Sequence, residues 1–133
     1  MENPEGVLRR VLTGQLTPDE AAEELSPLVT LDLDRQQQTA VYADPFPTKI
    51  KLEPLDVANA LRRYLSGVLS EDELRRWATF VTLVDGYEAP EHPSDESHYD
   101  PMWDVVHNLA APEVFGEIDP ELVTEYLRTI EQL

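Results

Sequence analysis

The sequence predicts a mainly α single domain spanning 1–133, with five or six helices built from αα-hairpins and a short β or extended insert at about 28–53. Three observations predict it. A short phrase occurs three times, as Gly14-Gln15-Leu16-Thr17-Pro18-Asp19-Glu20, Gly67-Val68-Leu69-Ser70-Glu71-Asp72-Glu73 and Gly116-Glu117-Ile118-Asp119-Pro120-Glu121-Leu122. In each, a glycine stops one helix, an aliphatic residue follows, and an N-cap residue with an acidic or proline-bearing first turn starts the next. Second, Val7–Leu25 aligns without gaps on Ala60–Ala78, with Leu8/Leu61, Arg9/Arg62, Arg10/Arg63, Leu12/Leu65, Gly14/Gly67, Leu16/Leu69, Asp19/Asp72 and Glu20/Glu73 identical. Third, apolar residues recur at helical period outside 28–53.

Helices are expected at about 5–13, 18–27, 54–66, 71–84, 101–111 and 120–132. The first two and the next two form the repeated hairpin with its tight turn. Thr17 with Glu20, and Ser70 with Glu73, make a capping box in which the hydroxyl accepts the N3 amide and the glutamate accepts the cap's own amide. The last helix lacks the N3 glutamate, since Leu122 stands there, and starts from Asp119 as cap with Pro120 at N1. Leu16 is placed to staple onto Ala21, Leu69 onto Leu74, and Ile118 onto Val123. Leu74, Trp77, Ala78, Val81 and Val84 form one apolar stripe, and Leu122, Val123, Tyr126, Leu127 and Ile130 another. Trp77 and Phe80 read as core residues.

Between Leu28 and Glu53 the period changes to two. Val29, Leu31 and Leu33 alternate with polar residues, as do 39–44 and 48–53. Either one or two short strands form there, with Asp44-Pro45-Phe46-Pro47 as the turn between the last two, or the segment is an extended loop wrapping the helices. The acidic stretch at about 85–100, DGYEAPEHPSDESHYD, has two prolines, one glycine, six acids and no Lys or Arg, and reads as a surface loop.

Bulk properties exclude several classes of function. The absence of cysteine removes disulfides, thiolate nucleophiles and zinc-ribbon ligation. No apolar run approaches the roughly 18 residues of a membrane span, and Met1-Glu2-Asn3-Pro4-Glu5 has the wrong sign for a secretory leader, so a cytoplasmic protein is expected. Net charge is −17, and it is unevenly placed: residues 1–84 hold 14 acids and 9 Lys/Arg, whereas 85–133 hold 13 acids against Arg128 alone. Such a field repels nucleic acid and anionic membrane and attracts basic proteins, or it serves only solubility. Arg62, Arg63, Arg75 and Arg76 bracket the second turn in a helix-turn-helix manner, but four arginines in so acidic a chain are expected to pair with its own acids, Asp72 foremost, and not with DNA.

The candidate partner-binding residues are the acids of the charged third: Glu88, Glu91, Asp95, Glu96, Asp100 and Asp104. The partner expected is a basic protein, with no cofactor. His92, His98 and His107 lie in the same third, and His98, Asp100, Asp104 and His107 are the alternative reading, a divalent-metal enzyme or sensor, because Asp104 and His107 share a helical face and oxygen with nitrogen ligands suit Zn, Mn or Fe. A ferritin-type site needs a second D/E-x-x-H, which is absent. No G-x-S-x-G elbow and no glycine-rich phosphate loop occur, so no catalytic residue is assigned.

Ala60–Ala78, ALRRYLSGVLSEDELRRWA, together with Gly116–Leu122 resembles a pattern in small acidic bacterial proteins, some of which look like immunity proteins. The resemblance covers about half the chain. It implies a compact helical domain whose acidic surface blocks a basic, nuclease-type toxin stoichiometrically, and it implies no particular functional residue.

Overall fold

A computed structural model describes residues 4–25, 29–32, 37–41, 49–84, 87–88 and 99–133. In these the chain is mainly α. The helices are α1 (Pro4–Thr13), α2 (Pro18–Leu25), α3 (Pro54–Leu65), α4 (Glu71–Leu83), α5 (Asp100–Ala110), the single turn α6 (Pro112–Phe115) and α7 (Pro120–Glu131). Four short strands accompany them: β1 (Val29–Asp32), β2 (Gln37–Val41), β3 (Ile50–Lys51) and β4 (Tyr87–Glu88). Helix α3 packs on α7 and α4 on α5, with further α3–α4, α3–α5 and α5–α7 contacts, while α1 and α2 lie against α3 and α4.

The repeated phrase is a repeated set of hydrogen bonds. After α3, the Gly67 amide donates to the Tyr64 carbonyl at 3.0 Å and the Val68 amide to the Arg63 carbonyl at 2.8 Å, a Schellman closure with Gly67 at φ +86°. After α1, the Gly14 amide donates to Val11 O at 3.2 Å and the Gln15 amide to Arg10 O at 3.0 Å, with Gly14 at φ +81°. The Arg63 carbonyl also accepts from the Leu69 amide and the Ser66 hydroxyl, and the Arg10 carbonyl from the Leu16 amide and the Thr13 hydroxyl. Both capping boxes form: the Glu20 amide donates to Thr17 Oγ1 at 3.2 Å and the Thr17 amide to Glu20 Oε1 at 3.1 Å, and Ser70 and Glu73 exchange the same pair at 3.1 and 3.0 Å. The third copy is looser. Asp119 caps α7, its Oδ1 accepting from the Leu122 amide at 2.8 Å, but Gly116 at φ +108°, ψ 150° follows the one-turn α6 and closes no Schellman motif.

Gly67→Val separates backbone strain from packing, because a Cβ at Gly67 meets nothing within 4 Å. A β-branched side chain at positive φ should cost roughly 1–2 kcal/mol, lowering the thermal midpoint without altering binding at permissive temperature. An unchanged melting curve would remove the turn from the stability determinants.

The core is continuous across the helices. Val7, Leu8, Val11 and Leu12 of α1, Val57, Ala58, Ala60 and Leu61 of α3, and Leu74, Trp77, Ala78, Phe80 and Val81 of α4 are all buried in it. Leu16, Ala21, Leu74, Ile118 and Val123 are buried as the staple pattern requires, and Leu69 packs against the cluster from a half-buried position. The α7 stripe is only partly covered, with Val123 and Ile130 buried and Leu122, Tyr126 and Leu127 half-buried.

The insert at 28–53 contains strands, but not as one hairpin across its prolines. β1 pairs antiparallel with β2, Val29 opposite Val41 and Asp32 opposite Gln37, with the register skipping Thr39. β3 pairs in parallel with β4, Ile50 opposite Tyr87, and the Leu52 amide continues the ladder to the Glu88 carbonyl at 2.7 Å. The turn expected at Asp44–Pro47 lies outside the described residues.

β4 corrects the reading of 85–100 as a surface loop throughout. Tyr87 is buried, its hydroxyl donates to the Leu8 carbonyl at 2.8 Å, and its ring meets Phe80 edge-on at 6.2 Å and 68°. Two ladder residues between turn formers are too few to register as periodicity.

Candidate functional site

The acids on α5 and α7 are held outward by the burial of the apolar stripes of those helices. In α5, Met102, Val105, Val106, Leu109 and Ala110 face the core, which leaves Asp100, Asp104 and His107 on the exposed side. In α7 the burial of Val123 and Ile130 leaves Glu121, Glu125 and Glu131 exposed, and Glu117 and Asp119 are exposed in the approach to it. Since α5 touches both α6 and α7, these carboxylates lie on contiguous elements. Between them, α6 exposes two apolar side chains, Val114 at 70% and Phe115 at 54%. The surface is an acidic one with an apolar tip.

Among the described residues most of these acids lack a cationic partner. Among the described residues Glu131 is ion-paired, to Arg62 at 3.1 Å, whereas no such bond joins Asp100, Asp104, Glu117, Glu121 or Glu125 to a cation. The other arginine pairs belong to the first two hairpins: Arg9 with Glu5, Arg75 with Asp72, and Arg76 with both Asp72 at 2.7 Å and Asp19 at 3.2 Å. Hydrogen bonds from Arg76 and then Arg75 hold the Asp72 carboxyl below its usual range. The expected pairing of the arginine cluster with the chain's own acids therefore holds for Arg62, Arg75 and Arg76. Arg63 pairs with no acid among the described residues. The negative field is felt at Tyr64, whose hydroxyl is raised by burial first and then by the Glu71 and Asp119 carboxylates.

The candidate residues divide into three sets. Asp100 and Asp104 stand exposed on α5, as a docking surface requires. Glu88 is exposed on β4, but it lines a cleft with Arg9, Lys49 and Lys51, opposite Lys51 in the ladder, so it is set among cations. In the same cleft, burial pushes the Asp56 carboxyl above its ordinary value, against the opposing hydrogen bond from the Glu53 amide at 3.0 Å. Glu91, Asp95 and Glu96 lie outside the described residues.

For the metal reading, Asp100, Asp104 and His107 share the exposed side of α5, while His98 and His92 lie outside the described residues. Among the described residues no group of three or more His, Asp or Glu is positioned to hold a metal ion. The His107 ring instead lies 6.1 Å from that of Trp103. The same residues contain no helix long and apolar enough to cross a membrane.

Sequence reasoning missed Val114 and Phe115. Their signal was local: Pro112 and Gly116 bracket too few residues for a helix that could bury both of them. Compared with protein-family models, curated proteins and solved structures, the chain matches none.

Proposed function

We propose that the chain is a cytoplasmic protein-binding module that docks a basic protein on the acidic surface of α5–α7, in the manner of an immunity-type inhibitor. One observation carries the reading: Asp100, Asp104, Glu117, Glu121 and Glu125 are exposed, and unpaired among the described residues, on the elements flanking the outward Phe115, in a third of the chain whose only Lys or Arg is Arg128. An apolar centre with a charged border is the anatomy of a protein interface. The acids steer and orient the partner, and Phe115 supplies the area that is desolvated on contact.

The test is a pull-down at low and high salt, followed by kinetics on any basic protein recovered. Neutralising Asp100, Asp104, Glu117, Glu121 and Glu125 to the amides should slow association by about tenfold or more at low ionic strength, and added salt should do the same to the parent protein. Phe115→Ser should act mainly on dissociation. A partner whose binding ignores both salt and the five amides would refute the proposal, as would recovery of none.

A further inference from the structure

The two hairpin turns face each other across a cleft of about 220 Å³, formed by Val11, Leu16 and Thr17 of the first copy with Arg63, Leu69 and Trp77 of the second. Its walls are mainly aliphatic and aromatic. Most of its polar groups are already committed. Thr17 Oγ1 accepts from the Glu20 amide, Glu73 Oε1 accepts from the Ser70 amide, and Asp19 is bound by Arg76.

Two groups remain, and both are donors. Arg63 Nε and Trp77 Nε1 are buried, and neither has a hydrogen-bond partner. Trp77 is only 3% exposed, and no carboxylate among the described residues pairs with Arg63. Burial is the one influence on the Arg63 guanidinium, and it lowers its proton affinity. The guanidinium lies against the first turn, where a Cβ at Gly14 would overlap Nη1, so the glycine that closes α1 also makes room for this cation. An unpaired, half-buried cation is costly, and it is conspicuous in a chain with 27 acids.

What these two donors lack is an acceptor. The geometry points to a binding site for a compact organic carboxylate, its anionic head between Arg63 and Trp77 and its apolar body on Val11, Leu16 and Leu69. The volume sets the size. At ~30 Å³ per water, the cleft matches roughly seven waters, which suits a fragment-sized ligand and not a chain. A guanidinium and an indole N–H that line the same cleft offer donors to carboxylate oxygens, and their burial strengthens each bond.

The experiment follows the two indole N–H resonances of ¹⁵N-labelled protein, assigned with Trp103→Phe, during titration with 3-phenylpropanoate, 3-phenylpropan-1-ol and inorganic phosphate. Phenylpropanoate should shift the Trp77 resonance saturably and leave that of Trp103 in place. The alcohol, which has the same body without the charge, should bind about tenfold or more weakly, and Arg63→Gln or Arg63→Met should weaken phenylpropanoate by a similar factor. Arg63 has no side-chain bond to lose among the described residues, so either variant should keep its fold, as the remaining spectrum will show. No saturable shift, equal response to the alcohol, unchanged affinity in both folded Arg63 variants, or saturation by phosphate alone would each overturn the assignment. None of these readouts involves a protein partner, so the outcome is independent of docking at α5–α7.

Discussion

Phe80→Ala should lower stability by roughly 3–5 kcal/mol, the cost of emptying a fully buried aromatic site that its surroundings fill only in part. Phe80 has no exposed surface, sits in the last turn of α4, and meets the Tyr87 ring edge-on. The edge-on pair adds roughly 0.5–1.5 kcal/mol beyond burial, and truncation forfeits it. Set against a total of roughly 5–15 kcal/mol for an ordinary domain, that loss leaves a protein close to its unfolding threshold. Urea denaturation measures it directly: the midpoint should fall with little change in slope. A loss under about 1 kcal/mol would mean that the site collapses around the missing ring, and that Phe80 does not anchor β4 to the helices.

Alkaline pH should destabilise the fold through Tyr87. Burial raises its hydroxyl well above the ordinary value of 10.0, and the Asp56 carboxylate raises it further. The native state thus holds this proton more tightly than the unfolded chain does. The stabilisation is complete below the unfolded value and is lost as pH rises from 10.0 toward the folded one. Tyr87→Phe removes this dependence. At neutral pH it should cost about 0.5–1.5 kcal/mol for the lost bond to the Leu8 carbonyl. Above about pH 10 the two proteins should converge, because only the parent must then expose a phenol in order to ionise it. Thermal midpoints of both, taken from about pH 8 to about pH 11, decide the matter; parallel curves would mean that Tyr87 titrates as an exposed tyrosine.

The features legible in the sequence are those whose causes are local. Thr17, Ser70 and Asp119 cap helices by reaching amides within the next turn, so their residue types and spacing suffice to predict the bonds. The α4 stripe is likewise set by period alone, and Trp77 and Phe80 lie in the core as expected. What was not legible depends on distant partners. The β3–β4 ladder joins pairs of residues across the whole α3–α4 hairpin, and nothing around Tyr87 in sequence announces Leu8 as the acceptor of its hydroxyl. Arg63 was grouped with Arg62, Arg75 and Arg76 by composition, but its place between the turns is a product of how the two hairpins meet. Of the acidic candidates, only Asp100 and Asp104 could be placed from helical phase.

The duplicated turns carry an internal standard. The carbonyls of Arg10 and Arg63 each gather two amides and one hydroxyl, and each turn leads into a reciprocal cap built from a hydroxyl residue and a glutamate. Once Thr17→Ser gives the two boxes the same serine–glutamate pair, truncating either serine to alanine removes the same two-residue exchange of bonds. Any difference between the two free-energy changes then belongs to the N1 residue, Pro18 or Glu71, and to the surroundings, because the shared bonds cancel within one molecule and one solvent. Intrinsic capping and tertiary context, which are confounded wherever a motif occurs once, become separately measurable quantities in this chain.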